Sequence, residues 1–291
     1  MTEAALHATN QVIRQATTGA AWLKVVDLAA ANHPDRLLHL RLTITDPGSE
    51  DPQVRAVVDG MLTAMGKPPV QTVVNTLFPA VLARLSKDPE ELSSRYTGMY
   101  KRIQREVGAN NRGTYFGRLV HYPARDKPVN QLTRLIGQLR RDQNGQKARP
   151  AAIYETTTTT SAAVPAQDRK PLDDATDSSA RVATTSQVSV DEMQVYAPTP
   201  DTIPMGFPCL SHLSWQRIDG HLHLLAQYRH QYLIERAYGN YLALGLLQHY
   251  VANAAGLQVG ELSVDAGLAT LDITPSALRG HLARLNQTSL W

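Results

Sequence analysis

The sequence predicts an α+β fold in which strands and helices pack around one hydrophobic core. Residues 37–45 alternate apolar and polar side chains and stop at a Pro-Gly turn, which is typical of a half-buried strand. A second strand-like segment, residues 221–225, directly follows Asp219-Gly220, a dipeptide that favours a tight hairpin turn. Residues 241–255 form a helical segment that is apolar on nearly every side, and such a helix must lie inside the core.

The composition bounds the class of protein. The chain has 291 residues, of which 43% are hydrophobic and 19% are charged, so a sizeable core is expected and disorder throughout is excluded. Lys and Arg number 29 against 26 Asp and Glu, and a net charge of +3 does not indicate nucleic-acid binding, although it suits a small anionic ligand. No apolar run reaches membrane-helix length and no signal peptide is evident, so we expect a soluble cytoplasmic protein that binds no membrane.

Helical periodicity and boundary residues predict most elements in the first half of the chain. The first 30 residues carry a loose apolar stripe at helical spacing and are predicted to be helical up to the break at Asn32. Helices are also predicted over 53–65 and 70–86, with Pro79 as a kink or boundary in the second.

Four further elements follow from the same signals. Asp88 and the acidic residues behind it predict the start of another helix. Apolar residues at spacings of three and four over 132–139 predict an amphipathic helix that ends at 142–145. A short strand is expected around 261–273, and a last helix is expected after Pro275.

Residues 155–190 interrupt this succession of elements. The segment is rich in Thr, Pro, Asp and Ser and has no aromatic residue, so it offers too little apolar surface to offset the entropy lost on ordering. We interpret it as a disordered insertion within a single domain spanning 1–291, and a linker between two domains is the alternative. The apolar helix after it favours the insertion, because a helix of that kind needs a core to which both halves contribute.

The chain contains one cysteine, Cys209, which excludes an internal disulfide and a multi-thiolate metal site. A single cysteine is either an inert buried side chain, the commoner case, or a nucleophile. His221 and His223 would lie on one face of a strand, but two imidazoles without a third ligand do not indicate a metal site. The sequence therefore predicts no metal.

The residues around Cys209 resemble a known family. Pro208-Cys209 is followed by the Asp219-Gly220 turn, by Arg229, by Asn240 and by Gly260-Glu261. These positions and intervals resemble the thymidylate synthase and deoxycytidylate hydroxymethylase family. That family has a Pro-Cys nucleophile, a hairpin, a phosphate-binding Arg, a base-reading Asn and a Gly-Asp pair in this order.

The resemblance extends beyond these positions. It runs without a gap from Pro208 to about Asp272, and residues 37–47 look like the first strand of the hydroxymethylase-like branch. Tyr115 lies in a segment similar to the family's Tyr-Gly motif. The resemblance implies a thymidylate synthase-like α+β fold, in which helices cover a mixed β-sheet and two copies form a homodimer through that sheet.

The resemblance also implies a reaction on a pyrimidine nucleoside monophosphate. In the family a thiolate adds to C6 of the base, and the resulting enolate attacks a one-carbon electrophile through C5. By this resemblance Cys209 would be that nucleophile. Only the thiolate form of a cysteine is reactive, and nearby cations favour that form. Arg229 would bind the phosphate through its planar fork of donors, and Asn240 would pair with the base. Without the resemblance, Arg229 is interpreted as a surface charge and Asn240 as a helix cap.

Several positions depart from the family pattern. Tyr228 and His230 flank Arg229, where the family has a Gln and a Ser that take part in phosphate binding. Asn75 stands where the family has a Glu that organises proton transfer, and an amide cannot act as an acid or base. Tyr232 replaces the Asp that contacts the folate pterin, so the implied cofactor, methylenetetrahydrofolate, lacks one of its usual contacts.

Two more departures concern the dimer and the ribose. Arg149 is the one residue that matches the family's Arg pair, which reaches across the dimer to the phosphate. Thr270 and Asp272 stand where the family binds the ribose 3′-hydroxyl. The sequence leaves two hypotheses: an enzyme that methylates or hydroxymethylates C5 of a pyrimidine nucleotide, and a catalytically lapsed homologue that binds a nucleotide or a partner and regulates.

Overall fold

The structure is a computed structural model that describes residues 12–32, 35–106, 110, 113–124, 127–143, 189–195 and 208–288. Its strands in chain order are β1 (Val12–Thr17), β2 (Arg36–Asp46), β3 (Ser189–Gln194), β4 (Leu210–Ile218), β5 (His221–Tyr232) and β6 (Gln258–Thr270). They form one sheet in the order β1-β2-β6-β5-β4-β3. The β1–β2 and β5–β6 pairs are parallel and the other pairs are antiparallel, so the sheet is mixed.

Helices pack against this sheet. They are α1 (Thr18–Ala31), α2 (Pro52–Ala64), α3 (Val70–Leu77), α4 (Ala80–Arg84), α5 (Pro89–Glu106), α6 (Tyr115–Val120), α7 (Gln131–Gln143), α8 (Tyr238–Ala255) and α9 (Pro275–Thr288). A π-helical turn, Leu233–Ala237, joins β5 to α8. The fold is therefore of the predicted α+β class, with a mixed sheet and helices.

The two faces of the sheet differ in burial. Along β2, Leu40, Leu42 and Ile44 are buried, whereas Arg41 between them is exposed. The buried side chains define the inner face, which lies against the helices. The exposed and half-buried side chains define the outer face, whose polar members include Arg14, Arg41, Thr43, Glu261, Ser263 and Asp265.

Both halves of the chain contribute to one core. The strands β1 and β2 precede the segment 144–188, which lies outside the described residues, and β3 to β6 follow it. Buried side chains from both halves belong to one hydrophobic cluster. The predicted insertion over 155–190 lies almost wholly outside the described residues. Its predicted end is two residues late, because β3 already begins at Ser189.

The prediction of a helix over the first 30 residues is wrong for Val12–Thr17. These residues form β1 and pair in parallel with β2, Arg14 lying opposite Thr43. Local periodicity cannot reveal such a pairing, because the partner strand lies almost thirty residues further along the chain. The helix itself begins at Thr18, directly after β1, and the hydroxyl of Thr17 caps it by accepting the N–H of Ala20 at 3.2 Å.

The other predicted elements are present with small shifts of their ends. The helix predicted over 70–86 is divided at Phe78-Pro79 into α3 and α4. Behind Asp88, α5 begins with the carboxylate of that residue accepting the N–H of Glu91 at 2.7 Å. The predicted hairpin is confirmed, since Asp219 and Gly220 have φ angles of 49° and 80°. The strand β6 spans Gln258–Thr270, so it begins and ends three residues earlier than expected.

The apolar helix α8 is buried as predicted and ends at Gly256, whose φ of 73° is the left-handed conformation typical of a helix end. Its buried Gln248 donates from Nε2 to the carbonyls of Leu222 at 2.7 Å and Gly260 at 3.1 Å. The side chain thus joins α8 to β5 and β6. No described helix is both long and apolar enough to cross a membrane.

Candidate functional site

Cys209 immediately precedes β4 and lies beside the end of β5. Its carbonyl accepts the backbone N–H of Arg229 at 2.9 Å, and the next residue, Leu210, pairs with Tyr228. The cysteine is partly buried and packs against the hydrophobic core. The strand pairing therefore brings together, at backbone level, three of the residues that the sequence assigned to a site.

The phenol of Tyr115 interacts with the Cys209 thiol. Tyr115 opens α6, a helix capped by the hydroxyl of Thr114, which accepts the N–H of Gly117 at 3.1 Å. Burial and the neighbouring thiol raise the pKa of Tyr115 to about 12, against a smaller lowering by the backbone amides of Leu210 and Cys209 and by the charge of Arg236. Tyr115 is therefore a neutral phenol at physiological pH.

Two further phenols continue from this point. Tyr228 is buried, and its pKa is raised well above the usual value by burial and by the nearby Tyr115, Tyr241 and Cys209. Burial likewise raises the pKa of Tyr241, whose hydroxyl donates to Oε1 of Gln231 at 2.8 Å. The last part of β5 and the first turn of α8 thus carry several uncharged polar side chains, of which Tyr228 lies close to the thiol.

Three polar atoms in this region are buried without a hydrogen-bond partner among the described residues. They are the hydroxyl of Tyr228, Nε2 of Gln231 and Oδ1 of Asn240. Their side chains are only 3%, 2% and 3% exposed. Nearly all buried polar groups in proteins are paired, and leaving one unpaired costs about 1–3 kcal/mol. Tyr228 is the one of the three that lies close to the thiol, and buried polar groups without partners are typical of a ligand site.

The π-helical turn positions the start of α8, which carries Asn240. Asp272 accepts the backbone N–H groups of Ile234 at 2.7 Å and Glu235 at 2.9 Å. Burial raises the pKa of Asp272, and the two amides act in the opposite direction. The indole of Trp22 donates to the carbonyl of Leu233 at 2.7 Å. Both oxygens of Asp272 are thus engaged by backbone, which gives this residue a positioning role that the sequence did not suggest.

His230 and Tyr232 form a separate pair on the last residues of β5. Nε2 of His230 lies 3.1 Å from Oγ1 of Thr270, and its ring meets that of Tyr232 edge-on at a centroid distance of 4.5 Å. Burial, followed by the positive charge of Arg229, lowers the pKa of His230. Neutral imidazole is therefore the favoured form in the folded protein. Tyr232 is exposed.

The remaining predicted site residues are less closely tied to the thiol. Arg229 is exposed and borders a pocket of about 290 Å³, together with outer-face residues that include Arg41 and Asp265. Asn75 is exposed on α3, where its Oδ1 accepts from Nε2 of Gln71 at 3.0 Å. Arg149 lies outside the described residues.

Sequence reasoning missed Gln231, Tyr241 and Arg236. Arg236 bonds Glu235 at 2.8 Å, Glu235 also pairs with Lys67 at 2.9 Å, and the charge of Arg236 acts on the Tyr115 phenol. Polar residues inside a segment that is otherwise buried were the available signal for Gln231 and Tyr241. No local signal indicated Arg236, because a charged residue in a turn is usually solvated.

Comparison of the sequence with protein-family models finds no match, and a search of curated proteins finds none either. Over the described ranges, no cluster of three or more His, Cys, Asp or Glu side chains could hold a metal ion. The chemistry on offer is therefore that of a partly exposed thiol, neutral phenols around it, and buried donors and acceptors that lack partners.

Proposed function

We propose that this protein is a cysteine-dependent enzyme that methylates or hydroxymethylates C5 of a pyrimidine nucleoside monophosphate, as thymidylate synthase-like enzymes do. One observation carries the proposal. Cys209, the only thiol of the chain, lies close to Tyr228. Tyr228 and two side chains further along β5 and α8, Gln231 and Asn240, each keep a polar atom buried without a partner among the described residues. A polar, flat ring bound beside the thiol would supply those partners and place C6 within its reach.

The roles follow from the chemistry of each group. The Cys209 thiolate adds to C6, which leaves an enolate that is nucleophilic at C5. C5 then attacks the one-carbon electrophile. In hydroxymethylation the C=O bond of an aldehyde-level carbon opens and its oxygen takes up a proton, and in methylation a methyl group is transferred while its carrier leaves with the bonding electrons. C5 next loses its proton to a base, and the double bond reforms as the thiolate departs. A neutral phenol donates a hydrogen bond to the enolate oxygen better than it removes a proton, because the pKa of Tyr115 is about 12. We therefore assign enolate stabilisation to Tyr115.

Methylenetetrahydrofolate fits the described residues poorly. The family's pterin contact requires a carboxylate, and Tyr232 at that position is a phenol whose ring packs on His230. Asn75 cannot replace the family's Glu as a proton-transfer group. The proposal therefore includes a one-carbon electrophile and routes no step through a folate.

We extend the proposal to a homodimer that forms through the outer face of the sheet. The side chains of this face are exposed or half-buried in the single chain, and Arg229 borders a pocket there. A partner copy on that face would cover this pocket and bring a second arginine, proposed to be Arg149, to the phosphate. Sedimentation at micromolar concentration tests the assembly, and a monomer would contradict the shared site.

Exchange of the C5 proton tests the enzyme without knowledge of the one-carbon donor. Reversible addition of Cys209 to C6 makes C5 basic, so the C5–H signal of a bound nucleotide should disappear from the proton NMR spectrum in D₂O. We expect exchange with UMP, dUMP, CMP or dCMP, and its loss to background in Cys209→Ala. Matched unfolding curves for both proteins serve as the control. Exchange that persists in Cys209→Ala would contradict the proposal.

The second candidate function is a lapsed homologue that binds a nucleotide and regulates. It is favoured by the hydrogen bond of Asn75 to Gln71 and by the backbone contacts that occupy Asp272. Such a protein would be stabilised by the nucleotide, because a ligand that binds only the folded state raises its apparent stability. It would show no C5 exchange, so the two readouts on one sample separate the candidates.

A further inference from the structure

The three unpaired atoms on β5 and the first turn of α8 have a definite hydrogen-bonding character. Nε2 of Gln231 can only donate, Oδ1 of Asn240 can only accept, and the hydroxyl of Tyr228 is free to donate. All three belong to the end of β5 or the first turn of α8, the two elements joined by the π-helical turn. At these three positions the free protein thus buries two donors and one acceptor that its described residues do not satisfy.

The orientation of the Gln231 amide is set by Tyr241. The Tyr241 hydroxyl donates to Oε1 of Gln231 at 2.8 Å, and both side chains are buried. That bond occupies the oxygen of the amide and leaves its NH₂ group to point elsewhere. Tyr241 therefore acts on the site through Gln231, as a positioning residue.

The same group of side chains reaches the thiol. Tyr241, Tyr115 and Cys209 are all close enough to Tyr228 to shift its pKa. Tyr115 is in turn adjacent to the backbone amides of Cys209 and Leu210. A ligand that contacts the Tyr228 hydroxyl consequently lies beside the nucleophile.

We infer that Tyr228 and Gln231 contact the base directly and, together with Asn240, form a recognition set for the hydrogen-bonding edge of a 2-oxopyrimidine. Uracil and cytosine each present two acceptors and one donor along this edge, which complements two donors and one acceptor. Guanine presents two donors and one acceptor, and adenine presents one donor and one acceptor, so either purine leaves a buried group unpaired. The inference rests on the proposed function in that it places the base beside Cys209.

Two single-atom deletions test the inference. Tyr228→Phe removes a hydroxyl that has no partner in the free protein, whereas the matched control Tyr241→Phe removes one that is bonded to Gln231. We expect Tyr228→Phe to keep or raise the melting temperature of the free protein and to bind UMP and CMP about tenfold more weakly by calorimetry, the loss of one hydrogen bond to the ligand. Tyr241→Phe should lower the melting temperature of the free protein by a few degrees.

A second variant tests the NH₂ group of Gln231 as a donor to the base. Gln231→Glu retains an oxygen for Tyr241 and replaces the NH₂ donor with an acceptor, so binding of both pyrimidine nucleotides should weaken more than in Tyr228→Phe. AMP and GMP serve as ligand controls and should bind the wild type at least tenfold more weakly than UMP and CMP do.

The results separate this inference from the proposed function. Wild-type affinity for UMP and CMP in both Tyr228→Phe and Gln231→Glu would overturn the recognition set, even if C5 exchange persists. A melting temperature that falls as far in Tyr228→Phe as in Tyr241→Phe would also overturn it, because the hydroxyl would then have a partner within the protein. Selective pyrimidine binding without C5 exchange in the wild type would leave the recognition set standing and refute the enzyme.

Discussion

The two faces of the sheet hold their polar side chains under opposite conditions. On the outer face Arg41 bonds Asp265 at 3.1 and 3.2 Å, and the hydroxyls of Thr43 and Ser263 lie 3.3 Å apart. On the inner side, near the end of β5, Tyr228 and Gln231 keep a hydroxyl and an amide NH₂ buried without partners. These exposed groups are paired, although they need partners least, whereas the Tyr228 hydroxyl and the Gln231 NH₂ group are buried without a partner among the described residues.

The difference between the two faces indicates which one would bind a ligand. An exposed polar group can bond to water, so pairing on the outer face contributes little to stability. A buried polar group that lacks a partner destabilises the free protein, so a concentration of such groups indicates a ligand that completes them. The four predictions below test whether the two faces differ in energy as this comparison requires.

The largest expected difference lies in apolar packing. Leu262 on the inner face of β6 is fully buried, and its neighbour Ser263 lies on the outer face. Leu262→Ala should lower the free energy of unfolding by about 2–5 kcal/mol, because it removes buried contacts and leaves a cavity. Ser263→Ala should cost about 0.5 kcal/mol or less in the monomer, in which the outer face is not covered by a partner copy. Urea unfolding at a concentration where sedimentation shows a monomer measures both, and similar costs would show that the two faces are equally buried in the single chain.

The next effect concerns Gln248, a buried amide whose NH₂ group donates to backbone carbonyls of the sheet. Gln248→Met keeps the volume but leaves carbonyls of β5 and β6 without their donor, so the free energy of unfolding should fall by about 1–3 kcal/mol. The matched control is Gln227→Met, an exposed position on β5 that should change it little. An unchanged urea midpoint in Gln248→Met would remove the assigned link between α8 and the sheet.

A somewhat smaller effect is expected at the π-helical turn. Asp272→Asn leaves one side-chain oxygen to serve the two amides that the carboxylate bonds, so the free energy of unfolding should fall by about 0.5–2 kcal/mol. Asp265→Asn, which weakens the exposed pair with Arg41 on the outer face, is the control and should have no measurable effect on the monomer at physiological salt. Equal effects of the two changes would contradict the positioning role of Asp272.

The smallest effect is a pH dependence. Burial and Arg229 lower the pKa of His230 below its ordinary 6.5, so the folded protein binds fewer protons there than the unfolded chain. Stability should therefore decrease as the pH falls from 6.5 towards the folded pKa, and level off below it. His230→Gln should flatten this part of the profile in urea midpoints measured between pH 7.5 and 5.5.

His223 provides the comparison on the outer side of the hairpin. Its pKa is also lowered by burial, and its Nδ1 accepts the N–H of Glu261 at 3.2 Å. His223 should therefore also make stability decrease as the pH falls. The slopes of stability against pH that are lost in His230→Gln and in His223→Gln should add in the double variant. A profile that keeps its full slope in the double variant would contradict both pKa shifts.

Much of the fold could be predicted because its signals are local. The alternation over 37–45, the Asp219-Gly220 turn and the apolar run of α8 each depend on residues within one element, and all three are present. The strand β1 could not be predicted, because its hydrogen bonds are supplied by β2 and its own pattern favoured a helix. Pairing between distant segments carries no signal in either segment alone.

The candidate site divides in the same way. Cys209, Tyr228 and Arg229 were chosen on residue type and spacing, and the pairing of β4 with β5 brings their backbones together. The roles of Asp272 and Asn75 could not be predicted, because they depend on which neighbouring groups form hydrogen bonds with each side chain. In the structure those neighbours are backbone amides for Asp272 and Gln71 for Asn75.

The sequence by itself determined the α+β class, most helix and strand positions, and the isolation of Cys209 as the chain's only thiol. These properties depend on composition and on contacts between near neighbours in the chain. Tertiary structure alone decided that Tyr241 orients Gln231 and that the Tyr228 hydroxyl and Oδ1 of Asn240 are buried without a partner in the described part of the chain. The physical reason is that hydrogen-bond satisfaction belongs to a whole neighbourhood, and this neighbourhood is assembled from segments far apart in the chain.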